Sequence, residues 1–534
     1  LFIGLCLLGG SRVDPRIAVK LPFWGSGRDP SVVLNSTTGD AGVSPIAYCA
    51  RCRQARQGAT LVEATAVTDF SQSIGEQQAM LRSGDVSSRE LTAAALERAH
   101  SAQDPVNAFK MILDDEALAA ADEADRRRAA GEDAPMLGIP TAIKDDTDLA
   151  GHPTAFGCAG DFAPATEDAA VVHLLRARGA VIIGKTNTPE LGQWPLTAGP
   201  AFGITRNPWN LDHTSGGSSG GTSAAVAAGV VAAAVGSDGA GSVRIPASWT
   251  NLVGIKPTRG RVSSWPDKEA FNGITVIGPL ARTVKDAALL LDAITGNFPR
   301  ELHKLPAPAR PFADATGEDP GRLRIAVSYK IPFSAVPARL DKRVRERVEG
   351  VAKTLSGLGH DVVHQNLKHA MVGLSFIPRS TGGIAGWAER VPDKSLLDHR
   401  TLENVRIGNL LKFGGLRFAR GWESVLHRRT GRIFRDFDVV IAPTTAKPPL
   451  EANALEGLSS YASDRLFVGA CPYAWPWNVL GWPGVSVPAG FVDGLPVGAQ
   501  LLGQAGSEAK LIALAAQLES ELGWDALRPP GFGG

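Results

Sequence analysis

Residues 215–244 decide how this chain reads: Ser215-Gly216-Gly217-Ser218-Ser219-Gly220-Gly221-Thr222-Ser223, an Ala/Val-rich run to Val235, then Gly236-Ser237-Asp238-Gly239-Ala240-Gly241-Ser242-Val243-Arg244. Two glycine-rich loops, each with a serine among the glycines, flank one apolar segment. Glycine lets a backbone turn sharply and come close to a ligand. Successive N–H groups in such loops form anion-binding concavities. A serine attacking a carbonyl needs such donors, because negative charge grows on the substrate oxygen. One Gly-Ser loop alone reads as a tight turn. Two of them, joined by Ser223–Val235 read as a close-packing helix, point to nucleophilic chemistry.

The base such a serine needs lies upstream. Gly138-Ile139-Pro140-Thr141-Ala142-Ile143 reads as a short buried strand, and Lys144 closes it. Free lysine has a pKa of ~10.4, and burial lowers it by penalising the charged form. Two other chemistries use similar glycines. A P-loop needs Gly-x-x-x-x-Gly-Lys-Ser/Thr, which does not occur here. Gly216–Gly220 matches Gly-x-Ser-x-Gly formally, but that elbow should follow an apolar strand and precede a late histidine. Here a loop, Asn207–Thr214, precedes it, and His427 is the last histidine of a 534-residue chain.

Around this centre the chain alternates. Helices are expected from Ser87 to about His100 (with Ser87 and Glu90 as a capping box), over Asp114–Ala130, Asp168–Arg178, Arg343–Leu355 and Glu508–Leu522. Strands are expected at Ala180–Gly184, Leu323–Val327, Asp361–Val363, Asp438–Ala442 and Val485–Pro488. The fold class is therefore α/β, a single large domain with a mixed central β-sheet covered by helices on both faces. It occupies residues 66–534. Residues 1–65 mix Gly, Pro, Arg and Ser without periodicity and read as an extension outside the fold.

These residues resemble the amidase signature hydrolases over roughly residues 70–530. The resemblance rests on Gly216–Gly221, Ser237–Pro246, Gly254-Ile255-Lys256-Pro257-Thr258, Ile143-Lys144-Asp145, Gly184–Asn187 and Phe202–Trp209. Gly278–Arg282, Pro488–Gly490 and Gly494–Gln500 complete it. It implies a Ser-Ser-Lys triad: Lys144 as the ultimate base, Ser218 as a bridging serine preceded by a cis peptide bond, and Ser242 as nucleophile. The N–H groups of Gly239, Ala240, Gly241 and Ser242 would form the oxyanion hole. Asp238 and Arg244 would clamp that loop as a pair, and Ser219 would orient it. Ala240 stands where the family commonly has glycine, and Ser237 where threonine is frequent. Gln193 and Trp194 fall in a segment that borders the acyl pocket in the family. The implied activity is hydrolysis of a carboxylic amide to acid plus ammonia or amine through an acyl-enzyme, without metal or organic cofactor. Alternatives are the glutamine-hydrolysing subunit of a tRNA-dependent amidotransferase, and a non-catalytic binding protein on the same scaffold.

Bulk properties narrow the partners. Hydrophobic residues make up 44% and charged residues 20%, as in a soluble globular protein. Fifty-five Lys+Arg against 54 Asp+Glu leave a formal charge of +1. That gives no electrostatic case for nucleic acid or an anionic membrane. The longest apolar run, Ala224–Val235, is shorter than the ~20 residues of a membrane span. Leu1–Leu8 is apolar, but no basic residue precedes it, so it makes a poor signal peptide. The expected partner is a small-molecule amide and the expected location cytoplasmic; the sequence is also compatible with a homo-oligomer. Five cysteines argue against a disulfide framework, and Cys49 and Cys52 lack a second ligand pair for zinc. His360 and His364 sit in a strand, roughly 13 Å apart, too far to share a metal.

Overall fold

A computed structural model describes residues 72–332 and 336–532. The expectations for residues 1–65, including Cys49 and Cys52, lie outside them. The first described helices are α1 (Ile74–Ser83) and α2 (Ser88–Val106), each opened by a serine N-cap with a glutamate three residues on reaching back. Ser87 and Glu90 form the expected box, and α2 runs six residues past His100, to Val106. Then follow β1 (Phe109–Ile112), α3 (Asp114–Ala129), β2 (Pro140–Lys144), α4 (Ala170–Ala177) and β3 (Val181–Thr186). Three acidic residues open α3 and three arginines close it, as the helix dipole favours.

The next segment corrects the reading of Ser223–Val235 as one helix. The helix is α5 (Gly220–Ala227), and the remainder is β4 (Ala233–Asp238). Gly229 ends the helix at φ 76, with its N–H on the Val226 carbonyl and the Val230 N–H on the Ala225 carbonyl. This is a Schellman stop that glycine makes cheap. Every residue of α5 and β4 is buried, so no polar face marks a change of period. The second serine loop therefore leaves a strand end, not a helix end.

The chain continues through α6 (Arg244–Trp249), β5 (Val253–Lys256), β6 (Val276–Ala281), α7 (Val284–Ile294), β7 (Arg324–Val327), α8 (Lys342–Gly357) and β8 (Asp361–His364). A helical excursion comes next: α9 (Gly373–Ala388), α10 (His399–Leu411) and α11 (Gly414–Thr430). After β9 (Val439–Pro443) come α12 (Ser460–Ala470), α13 (Trp475–Leu480), β10 (Gly484–Val492), β11 (Leu495–Leu502) and α14 (Glu508–Leu522).

Eleven strands form one sheet in the order β1-β3-β2-β4-β6-β5-β10-β11-β9-β7-β8. β3, β2 and β4 are parallel neighbours, and so are β9, β7 and β8; the other contacts are antiparallel. The sheet is mixed, as expected. One apolar cluster packs α2 and α5 against β4; another joins α9, α13 and β9. The register Ile143↔Val235 sets the C-terminal end of β2 beside that of β4. In open α/β sheets that end is where ligands bind.

Candidate active site

Lys144 ends β2 with its side chain 1% exposed. Its ammonium finds three acceptors: Ser218 Oγ at 2.7 Å, Ser237 Oγ at 2.8 Å and Asp146 Oδ2 at 3.1 Å. Burial is the dominant influence and lowers the lysine pKa; the Asp146 carboxylate, then Asp238 and Asp145, push it the other way. Ser218 follows a cis Gly217–Ser218 peptide, just before α5. β4 delivers Ser237, and the loop beyond it carries Ser242, 8% exposed.

Ser219 ties the two loops together. Its hydroxyl donates to the Ser237 carbonyl at 3.1 Å and accepts the Ser237 N–H at 3.2 Å. Its own N–H donates to the Ser242 carbonyl at 3.1 Å. Ser242 Oγ has no hydrogen-bond partner among the described residues, so Lys144 and Ser218 are joined while Ser242 is not linked to either.

Asp238 and Arg244 meet as a buried fork, Nε–Oδ2 and Nη2–Oδ1 both 3.0 Å, with neither side chain exposed. Burial alone would raise the Asp238 pKa, but the guanidinium outweighs it and holds the carboxyl well below the usual range. The same carboxylate accepts the N–H of Gly241 at 2.8 Å and of Val243 at 3.2 Å. Gly241 is thus bound to the clamp, and of the four expected oxyanion donors it is the one already engaged. The N–H groups of Gly239, Ala240 and Ser242 donate to no acceptor among the described residues. Gly241 must be glycine: it sits at φ 114, and a Cβ there would lie 2.5 Å from the Ala474 Cβ.

Two clamp partners went unread in the sequence. Asn478 of α13 donates to the Asp238 carbonyl at 2.7 Å and to Oδ1 at 2.8 Å, and its own Oδ1 accepts from Arg244. Gln500 of β11 accepts from Arg244 at 2.9 Å. Gln500 closes one of the quoted motifs, which was the available signal; Asn478 had none.

The side chains of Gln193 and Trp194 find their partners on other elements. Gln193 donates to Thr401 and accepts from Asn404, both on α10. Trp194 packs with Leu196, Leu455 and Phe467 under the Arg400 guanidinium. Gly192, next to them, is what borders the site. A Cβ at Gly192 would lie 3.5 Å from Ser218 Oγ, 3.6 Å from the Trp387 ring and 3.9 Å from Lys144 Nζ. Trp387, on α9, packs against Phe156 and Phe271 with ring centroids 4.8 and 4.6 Å away. Ala240 leans on the same apolar cluster. An aromatic wall therefore stands across from the lysine and serines. Trp475, Trp477 and Trp482 are buried in that cluster's core.

Among the described residues, no group of three or more His, Cys, Asp and Glu is arranged to hold a metal. His360 bonds Leu323 and Gln517, while His364 bonds Glu349. No helix among the described residues is long and apolar enough to cross a membrane.

The family model described as Amidase matches residues 90–512. AmiA2 of Mycobacterium tuberculosis is 54% identical over 83% of this chain and 92% of its own length. A glutamyl-tRNA(Gln) amidotransferase subunit from Pseudomonas fluorescens is 35% identical over 84% of this chain and 96% of its own. Among solved structures, a 6-aminohexanoate cyclic dimer hydrolase superposes with a TM-score of 0.78 at 32% identity, covering 86% of this chain and 99% of that one. With this fold, this site and these relatives, the chain belongs to the amidase family of amide-hydrolysing enzymes.

Proposed function

We propose that this amidase cleaves its substrate through an acyl-enzyme on Ser242, activated by Lys144 through Ser218. The observation that carries the reading is the 2.7 Å contact between a fully buried lysine and Ser218 at the foot of the Ser242 loop. In the neutral form Lys144 takes the Ser218 proton as Ser218 takes that of Ser242. Ser242 Oγ attacks the carbonyl carbon. The free N–H groups of Gly239, Ala240 and Ser242 lie in the right loop to receive the developing oxyanion. The proton returns through Ser218 to the leaving nitrogen, and water then hydrolyses the ester by the same route.

The Ser218–Ser242 hydrogen bond is not made in this structure, and catalytic hydrogen bonds commonly tighten in the complex. The wall of Trp387, Phe156 and Phe271 favours an amide that carries an apolar or aromatic group over glutamine. The test is a panel of anilides, aliphatic amides, peptide amides and glutamine, read for amine or ammonia release. Turnover of an apolar amide, lost in Ser242→Ala, supports the reading. Turnover of glutamine alone favours an amidotransferase-type role, and equal turnover by Ser242→Ala overturns the nucleophile.

A further inference from the structure

We propose that Asp146 is the proton store of the base: the Lys144 ammonium passes one proton to Asp146 Oδ2, and the resulting amine then takes the proton of Ser218. This inference rests on the reading of Lys144 as the base. In the transfer one N–H bond of Lys144 breaks and one O–H bond forms on Asp146. The pair starts as ammonium and carboxylate and ends as amine and carboxylic acid, with no net charge gained or lost. Asp146 acts only through Lys144 and is a positioning residue.

Several charges are buried around the lysine. Three carboxylates face it from two elements: Asp145 and Asp146 follow β2, and Asp238 ends β4. Asp145 is matched by Lys185 at 3.1 Å. Asp238 is matched by Arg244 at 3.0 Å. Lys144 and Asp146 are the third pair, at 3.1 Å, with side chains 1% and 3% exposed. If Lys144 lost its proton to water, Asp146 would remain as an uncompensated buried charge, a costly state. Transfer within the pair leaves none. Of the other charges nearby, Arg390 is paired with Asp148 at 3.2 Å and also acts on Asp267, so it is not a spare cation for Asp146.

The geometry also fixes the order of events. In the resting arrangement all three ammonium donors of Lys144 have acceptors, Ser218, Ser237 and Asp146. No lone pair is left for Ser218 until one proton leaves. Asp146 Oδ2 lies on that path, and it is held there by the Ser237 hydroxyl, which donates to it at 2.5 Å. Burial, which lowers the lysine pKa, pushes the proton in the same direction.

The test is the rate of covalent labelling by an alkyl fluorophosphonate from pH 4 to 10, which reads activation of the serine without a known substrate. In wild type the limb reports loss of one proton from the pair as a whole. Asp146→Asn removes the store, so Lys144 must itself lose a proton to water, and the limb moves up by about one pH unit or more. Asp146→Glu keeps the wild-type limb. A limb that moves down in Asp146→Asn makes Asp146 a mere counter-ion holding the lysine charged. A limb that stays while the rate falls makes it packing. Either result overturns the proposal. If thermal melting shows Asp146→Asn unfolded, Ser237→Ala substitutes: the carboxylate loses its donor, and the limb must move up, a static limb overturning the idea. Full labelling of Lys144→Ala overturns the reading of the base itself, a failure distinct from a wrong shift in Asp146→Asn.

Discussion

Replacing Arg244 with methionine tests whether the serine loop is held by charge. The guanidinium is fully buried and makes four bonds: two to Asp238 at 3.0 Å, one to Gln500 at 2.9 Å and one to Asn478 at 2.8 Å. Methionine fills much of the volume but leaves Asp238 charged, buried and unpaired. Breaking a buried pair from one side costs about 3–5 kcal/mol. Unfolding entropy is ~2.1 cal/mol/K per residue, so Thr68–Gly534 gives roughly 1 kcal/mol/K and a Tm drop of about 3–5 °C. Asp238 also holds the N–H groups of Gly241 and Val243, so activity should fall by about 10²–10³, the loss seen when one oxyanion donor is misplaced. Pairing Arg244→Met with Asp238→Asn removes the stranded charge and should recover most of the Tm but not the activity. The pH dependence has a definite sign. Asp238 has a depressed folded-state pKa, so the pair's contribution is complete above the unfolded value of ~3.9 and fades only as pH falls below it. The Tm gap between wild type and Arg244→Met should be flat through neutral pH. Calorimetry of the three proteins checks this. A Tm drop under about 1 °C, or a double variant no better than the single, would refute the reasoning.

Three further outcomes follow from the same geometry. Lys144→Arg keeps a cation that cannot give up a proton, so both it and Lys144→Ala should lose at least about 10³ in kcat/KM, and a folded, active Lys144→Arg would remove Lys144 as base. Gly192→Ala puts a methyl between Ser218, Lys144 and Trp387 and carries ~1–2 kcal/mol of left-handed strain; it should raise KM for a bulky anilide more than for a small amide, and equal effects would move the substrate elsewhere. Glu519 is half-buried, and desolvation pushes its pKa up to about 8, opposed by its bond from the Val284 N–H. Its contribution is full below the unfolded value of ~4.3 and is lost as pH rises through about 8. Glu519→Gln should therefore melt above wild type at pH 9 and not at pH 5, whereas the same difference at both would contradict the assignment.

The candidate residues were easier to read from the sequence than their arrangement. Lys144 was legible because an apolar run ended on it, and Ser218 and Ser242 because glycines surrounded each. The Asp238–Arg244 pair was legible because the two residues bracket one loop. The break inside Ser223–Val235 was not, since helix and strand there are equally apolar and only Gly229 marks the stop. Trp387 was invisible because α9 brings it to the site from almost two hundred residues beyond Gly192 in the chain. Asp146 looked like one acid in a run, Asp145-Asp146-Thr147-Asp148, and only the fold separates Asp145, turned to Lys185, from Asp146, turned to Lys144. Gln193 and Trp194 lie in the right segment, yet α10 and α12 claim their side chains.

The central claim is that Ser242 is the nucleophile and that Lys144 activates it through Ser218. Fluorophosphonate treatment of wild type, Ser242→Ala, Ser218→Ala and Lys144→Ala, read by intact mass and then by peptide mapping, tests it most directly. The expected result is one adduct per wild-type chain, on Ser242, none on Ser242→Ala, and labelling slowed by at least about a hundredfold in the other two. An adduct mapped to Ser218, or wild-type labelling rates in Lys144→Ala, would contradict it.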